Sequence, residues 1–416
     1  MKEKKNLEYK ETITNTFLKT VSAYANYDGG VIIFGIDDEG NKKGLSDPNN
    51  ACLNIENRIN DSITPQPEYI LEVNDVNQTI TLTVTEGRHK PYLYKSKAYK
   101  RNDTATIEVD SLELTRLILI GKNMNYDELP YDSSSLNFEI LSEALKKRIS
   151  IGTFNEDTLK TLNLYSQENG YNHAAALLAD ENQFPGVDIT KFGDSINVIQ
   201  KRATFEHMSI LSVYEHAVQI YQDYYQYEEI TELYRKKVEK IPEAAFREAV
   251  ANALIHRAWD MKAQIRVSMY EDRIEVVSPG GLPNGITEAE YLSGRISILH
   301  NPIIGNIFYR LGIVEIFGTG ILRIIEVYKN SITKPSFEVS DNAIKVVLPV
   351  METELRLNEE ERIVYKVLSK NMAKSISEIV VGVPYGKTKV SKLLKRMAED
   401  NIITIEGNGR GTKYRL

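Results

Sequence analysis

The chain has 416 residues, 42% hydrophobic and 26% charged, with a formal net charge of −7. This is the balance of a soluble protein of several domains, each long enough to bury its own core. It excludes a membrane role, since no apolar run approaches the roughly 20 residues that span a bilayer.

The opening MKEKKNLEYKET is charged and lacks the apolar centre of a secretory signal, and Cys52 is the only cysteine. A reducing, cytoplasmic setting is therefore expected, without internal disulfides or cysteine-rich zinc sites. The six histidines show no HExxH-type pairing. The acidic total argues against a protein that coats nucleic acid over its whole surface. The distribution argues otherwise for one end. From Tyr385 to Leu416 there are eight Lys/Arg against three Asp/Glu, a net +5, so the remainder carries −12.

At the N-terminus a helix is expected to start near Glu11. It runs through the turn Tyr27-Asp28-Gly29-Gly30 into a buried strand, Val31 to Ile36. Strands at 69–73, 79–85 and 98–101 and a helix at 111–120 complete an α+β domain over residues 1–122. EKKNLEYK (Glu3 to Lys10) and NYDGGVIIFGIDD (Asn26 to Asp38) together resemble the Schlafen/AlbA-like domain AlbA_2. The resemblance implies DNA or RNA binding and, for some Schlafen proteins, RNA cleavage at a three-carboxylate site. Glu3, Glu8 and one of Asp37 and Asp38 match those positions, where carboxylates hold Mg²⁺ or Mn²⁺. The same acids are also ordinary turn and surface residues. Arg88, His89, Lys90, Lys95, Lys97, Lys100 and Arg101, interleaved with Tyr92, Tyr94 and Tyr99, suit either a nucleic-acid surface or a solvated strand face.

Residues 123–239 read as a linker closed by Pro130 and then a mixed helical connector. Ala174–Ala179 is a short strand or a buried helix, and a long amphipathic helix lies around Ser209–Tyr224. The tyrosines of VYEHAVQIYQDYYQYEEI suit packing better than base stacking at helical spacing.

Residues 240–355 open with Ile241-Pro242, a favourable helix entry. Strands at 264–270 and 273–278 form a hairpin, PGGLPNG is loop, residues 300–330 alternate helix and loop, and a strand closes at 343–348. On the first helix Glu248, Asn252 and His256 are spaced four apart and share one face. An acid, an amide and an imidazole in line suit a ligand: the Asn252 oxygen on Mg²⁺, and Glu248 orienting or deprotonating water. A plain polar edge is the other reading. This stretch, with Ser278-Pro-Gly280-Gly281-Leu-Pro283 and Phe317-Gly318-Thr319-Gly320-Ile321, resembles the divergent RecG-like branch of GHKL ATP-binding domains. The resemblance implies an α/β sandwich that takes ATP with Mg²⁺ at Asn252, His256, Gly280, Gly281, Gly318, Thr319 and Gly320, with Glu248 catalytic in an ATPase. The family's adenine-reading Asp is missing: Ser278 or Pro279 stands in that region. No GxxxxGK[ST] loop is present, which argues against helicase action.

Residues 356–416 read as three helices, at 359–369, 376–381 and 387–400, then strands at 402–405 and 412–415. This is the winged helix-turn-helix order, and the segment resembles the DNA-binding modules of bacterial transcription regulators. On the third helix Lys387, Lys389, Lys392, Lys395 and Arg396 oppose an apolar stripe of Val390, Leu393, Leu394 and Met397. Tyr385, Lys387, Thr388 and Lys389 are expected to read bases, joined by Lys392 and Arg396 on the helix, with Arg410 and Lys413 at the wing on phosphates. Winged helices also bind proteins, and a lysine-rich helix is also a solvated surface.

The fold expected is α+β and multidomain: an AlbA-like domain, a helical connector, a diverged GHKL sandwich and a winged helix. The function expected is a regulator that senses nucleotide and binds DNA, with RNA a second target, as a homo-oligomer. A metal-dependent nuclease and an interaction scaffold with both sites inactive are the rivals.

Overall fold

Leu7 and Tyr9 alternate with Glu8 and Lys10, the period of a strand, and both Glu8 and Tyr9 are buried. In the computed structural model Leu7–Lys10 pairs in parallel with Gly30–Phe34, Leu7 lying opposite Val31. The structure describes residues 3–149, 152–231, 234–283, 285–294, 298–315, 319–351, 357–369, 372–399, 402–407 and 409–416. The chain divides into two compact units, Met1–Leu129 and Pro130–Leu416.

The first unit holds a four-stranded sheet in the order Leu7–Lys10, Gly30–Phe34, Thr79–Val84, Tyr69–Asn74, antiparallel after the first pair. The helix Phe17–Asn26 packs Phe17, Val21 and Tyr24 against Ile32, Phe34, Ile80 and Leu82. Phe17 meets Phe34 edge-on, ring centres 5.2 Å apart. The helix begins six residues later than Glu11, after a bend and turn over 11–16. A helix not expected from the sequence, Pro48–Ser62, adds Ile55 and Ile59 to the same core. Its start is built conventionally: the Asp47 side chain accepts from Asn50 N at 3.1 Å, and Pro48 fills the first turn.

The second unit is organised on a six-stranded sheet. Its order is Ile199–Phe205, Val187–Phe192, Ile265–Met269, Arg273–Pro279, Ala343–Pro349, Ser336–Val339. Val187–Phe192 and Ile265–Met269 are parallel, and every other pair is antiparallel. The first two strands come from the expected connector, so that segment is not only helical. Ala174–Ala179 resolves as helix, His173–Leu178, entirely apolar and buried after its first residue. The tyrosine-rich helix runs Ile210–Tyr225 and stops there; Gln226–Thr231 is a strand, paired with Tyr234–Glu239. Tyr221 stacks on Phe246 at 4.6 Å and donates its hydroxyl to Ile241 O, so these tyrosines pack.

Residues after 357 build a small body with its own core of Val364, Ile379, Val390, Leu394 and Met397. Helices Glu359–Tyr365, Ile376–Val381 and Lys387–Glu399 accompany an antiparallel sheet in which Lys413–Arg415 lies between Lys374–Ser375 and Thr404–Glu406. Ile332, from beyond the helix Gly320–Val327, packs against this core. Among the described residues, no helix is long and apolar enough to cross a membrane.

Candidate functional site

The helix Glu243–His256 buries Ala249, Val250, Ala251, Leu254 and Ile255 and keeps Glu248, Asn252 and His256 together on a cleft. The cleft is completed by Tyr291, Glu315 and Gly320, with Ile286, Leu299 and Ile344 as apolar wall. Asn252 Nδ2 donates to Glu248 Oε1 at 3.2 Å. Its Oδ1 is left facing no protein donor among the described residues, which fits a hard cation or its water. Glu248 is 7% exposed. Burial pushes its carboxyl above the usual range; Arg323 and the Asn252 bond pull it back, and Glu315 pushes it up again.

Gly320 starts the helix Gly320–Val327 against these side chains. A Cβ at this position would fall on Glu248 Oε1 and lie 2.7 Å from Asn252 Nδ2. His256 is half-buried, its ring edge-on to His300 with centres 6.2 Å apart. Burial and the neighbouring His300 hold its pKa down at about 3, so the imidazole is neutral at physiological pH. It offers a hydrogen bond but no cation. Burial likewise pushes Tyr291 up to about 12. At the rim Arg323 pairs with Glu315 at 3.2 Å, each side chain 45% exposed.

The other residues expected at this site are placed differently. Gly280 and Gly281 do not line the cleft. A Cβ on Gly280, which has φ +105°, would meet the Ala258 side chain at 2.7 Å, and one on Gly281 the Asp341 carbonyl at 2.6 Å. These glycines serve close packing. The Ser278 hydroxyl donates to Ala253 O at 2.9 Å, tying the loop to the helix. Thr319 is the residue before the helix and makes no capping bond with its side chain. Phe317 and Gly318 lie outside the described residues.

In the first unit Glu3, Glu8 and Asp37 are each bonded within the fold. Glu8, 5% exposed, meets Arg101 at 2.5 Å and Lys10 at 2.7 Å and accepts from Thr20 Oγ1 at 2.8 Å. Glu3 accepts from Tyr9 N at 2.8 Å. Asp37 accepts from Asn41 N at 2.8 Å and Asn41 Nδ2 at 3.0 Å within its own turn, bonds that lower its pKa; Asp38 is exposed. Among the described residues, no group of three or more His, Cys, Asp or Glu side chains is placed to hold a metal ion. Tyr92, Tyr94 and Tyr99 are buried in the core, which corrects their reading as stacking surfaces. Lys90, Lys97 and Lys100 pair with Glu86, Glu108 and Glu113, and Arg101 is buried; Arg88, His89 and Lys95 are exposed and make no ion pair with a described residue.

On the helix Lys387–Glu399 the amphipathic reading holds. Val390, Leu393, Leu394 and Met397 are buried, while Lys387, Thr388, Lys389, Lys392, Lys395 and Arg396 are exposed. Lys389 is held by Glu360 and lies 4.7 Å from the ring centre of the half-buried Tyr385. Arg396 Nε lies 3.3 Å from the buried Glu361. Lys387 and Lys392 make no ion pair with a described residue. Lys413 is exposed on its strand, and nothing is described of the Arg410 side chain.

Sequence reasoning missed Tyr291, Glu315 and Arg323. Glu315 and Arg323 flank the Gly-Thr-Gly segment in the chain, and nothing in the sequence marked Tyr291, because the cleft assembles across separate elements.

Residues 3–110 match the family model SLFN_AlbA_2, "Schlafen, AlbA_2", and residues 262–348 match HATPase_c_4, "Putative ATP-dependent DNA helicase recG C-terminal". Both families are those whose motifs stand in the sequence. The helix bearing Glu248, Asn252 and His256 precedes the second match, and Glu315, Gly320 and Arg323 fall within it. A search of curated proteins finds no match. Among solved structures, the DIP2311 protein of Corynebacterium diphtheriae is similar at 19% identity and a TM-score of 0.48, over 99% of this chain and 92% of that one. The N-terminal domain of a RecG-related protein of Nitrosomonas europaea is similar at 21% identity and a TM-score of 0.19, over 26% of this chain and 79% of that one.

Proposed function

We propose that this chain is a DNA-binding regulatory protein whose second unit senses a nucleotide and whose last sixty residues engage the nucleic acid as a winged helix. The observation that carries the reading is the helix Lys387–Glu399: one face is buried in a core of its own, and the other exposes a row of cations, of which Lys387 and Lys392 pair with no described residue. Those charges stand near its N-terminal half, the part of a recognition helix that reaches base edges. The AlbA_2 match supports nucleic-acid binding by the first unit as well.

Nucleotide sensing rests on the cleft of the second unit, read as a diverged GHKL site. Asn252 Oδ1 would hold Mg²⁺, which would screen phosphate charge. Glu248, buried and bonded to Asn252, orients water beside it or takes its proton, and Gly320 leaves the room that both side chains need. The helix that Gly320 begins leads to Ile332, which packs on the C-terminal core, so a ligand that shifts this helix acts on the DNA-binding module through direct packing.

The rival nuclease reading finds less support, since Glu8 is spent on Arg101 and Lys10 and Asp37 on its own turn. Binding of labelled duplex DNA against salt tests the proposal. A steep dependence that loses about 0.9 of slope per removed phosphate contact in Lys387→Ala and Lys392→Ala is the expected result. Binding by neither duplex nor single strands, in protein whose fold is intact, contradicts it.

A further inference from the structure

We propose that Arg323 is the phosphate-binding cation of the cleft, and that Glu315 holds it until a nucleoside polyphosphate displaces the carboxylate; the proposal rests on the nucleotide reading above.

A ligand carrying several negative charges meets two carboxylates here, Glu248 and Glu315. No Lys or Arg is among the described residues that line the cleft, and His256 is neutral. Among the described residues, Arg323 is the cation whose charge acts on the Glu248 carboxylate. It stands one turn into the helix whose first residue touches Glu248 and Asn252, and its charge is felt at Glu248. Its guanidinium presents a planar fork of donors that suits phosphate oxygens as well as it suits a carboxylate.

Its present partner is exchangeable. The Arg323–Glu315 pair has both side chains 45% exposed at 3.2 Å, and exposed pairs of this kind are weak because solvent screens them. A polyphosphate with its cation offers more charge than one carboxylate. Glu315 is therefore a competitor as well as a holder: it keeps Arg323 at the rim when the cleft is empty, and it must yield when phosphate enters. The exchange alters the contacts of the helix that leads to Ile332.

The two residues then act with opposite sign, which a merely structural ion pair does not. Calorimetry of the full chain with ATP and Mg²⁺, and separately with inorganic tripolyphosphate, tests this on wild type, Arg323→Gln and Glu315→Gln. The expected result is a tenfold or greater loss of affinity for both ligands in Arg323→Gln and a several-fold gain in Glu315→Gln, with thermal melts confirming folded protein. Wild-type affinity in Arg323→Gln, or a loss in Glu315→Gln matching that in Arg323→Gln, overturns the assignment while the nucleotide reading stands. If Arg323→Gln does not fold, Glu315→Gln decides alone: tighter binding supports the exchange, and unchanged or weaker binding refutes it. No binding of either ligand by wild type removes the nucleotide reading and this proposal with it.

Discussion

Gly320 lies directly against Glu248, so the place a methyl group would take at residue 320 is already held by the Glu248 carboxylate. A side chain there must push Glu248 and Asn252 apart or move the helix. Gly320→Ala is expected to cost about 1–3 kcal/mol through overpacking. It is also expected to weaken nucleotide binding more than Gly152→Ala, at a glycine whose Cβ position has nothing within 4 Å. Urea unfolding and calorimetry on the two variants make the comparison. Equal nucleotide affinity in both would show that the Glu248–Asn252 arrangement is not what the ligand uses.

The imidazole of His256 gives the fold a defined pH response. Its pKa is held near 3 in the folded chain, against an ordinary value of 6.5. As pH falls below about 6.5 the unfolded chain takes up the proton first, so the stability present above that pH is lost progressively toward pH 3. The ring keeps a partly exposed edge, so the expected loss at pH 5 is about 1–2 kcal/mol rather than the full linkage value. His256→Gln should show a shallower decline between pH 6.5 and 5. Identical slopes in the two proteins would place the acid sensitivity elsewhere.

Arg257 closes the same helix from the other side. It is fully buried and donates to Pro185 O at 3.0 Å, to Met261 O at 2.9 Å and to Ala263 O, with its guanidinium 4.4 Å from the Trp259 ring centre. Removing it takes a donor from these part-buried carbonyls and vacates a fully buried position, and Arg257→Ala is expected to destabilise the second unit by about 3–5 kcal/mol. Arg257→Lys should recover little, because a single ammonium cannot span carbonyls from separate segments. The urea midpoint is the measurement, and near wild-type stability in the lysine variant would refute the clamp.

The cations of the C-terminal helix divide into two kinds. Lys387 and Lys392 pair with no described residue, whereas Arg396 is held by the buried Glu361. Lys387→Ala and Lys392→Ala are expected to weaken DNA binding and flatten its salt dependence with little change in melting temperature. Arg396→Ala is expected to lower the melting temperature as well. Lys389 starts from its pair with Glu360, so Glu360→Gln should tighten DNA binding modestly, since an exposed pair is weak. Weaker binding in Glu360→Gln would show that the pair positions Lys389 instead of restraining it.

Much of this was legible in the sequence where one element carries a whole pattern. Glu248, Asn252 and His256 show their common face by spacing alone, and the buried stripe of Val390, Leu393, Leu394 and Met397 predicts the exposed cations opposite. The hairpin at 265–279 follows from its alternation. Other features depended on what one element meets from another. Val187–Phe192 finds its place only beside Ile265–Met269, a parallel pairing between segments far apart in the chain. Glu8 looks like a surface acid until Arg101 arrives from the far end of the same unit. The helix Pro48–Ser62 is polar enough to hide its three buried residues, although Asp47-Pro48 was a readable start signal. Arg323 and Glu315 acquire meaning only through Gly320 and its neighbour Glu248.

The central claim is that nucleotide in the second unit changes how the protein holds DNA. The measurement that tests it most directly is the affinity of the full chain for duplex DNA at fixed salt, with and without saturating ATP and Mg²⁺, in wild type and Asn252→Ala. The account predicts a several-fold change on adding nucleotide to wild type and none in the variant. An unchanged affinity in wild-type protein shown by calorimetry to be loaded with nucleotide would contradict it.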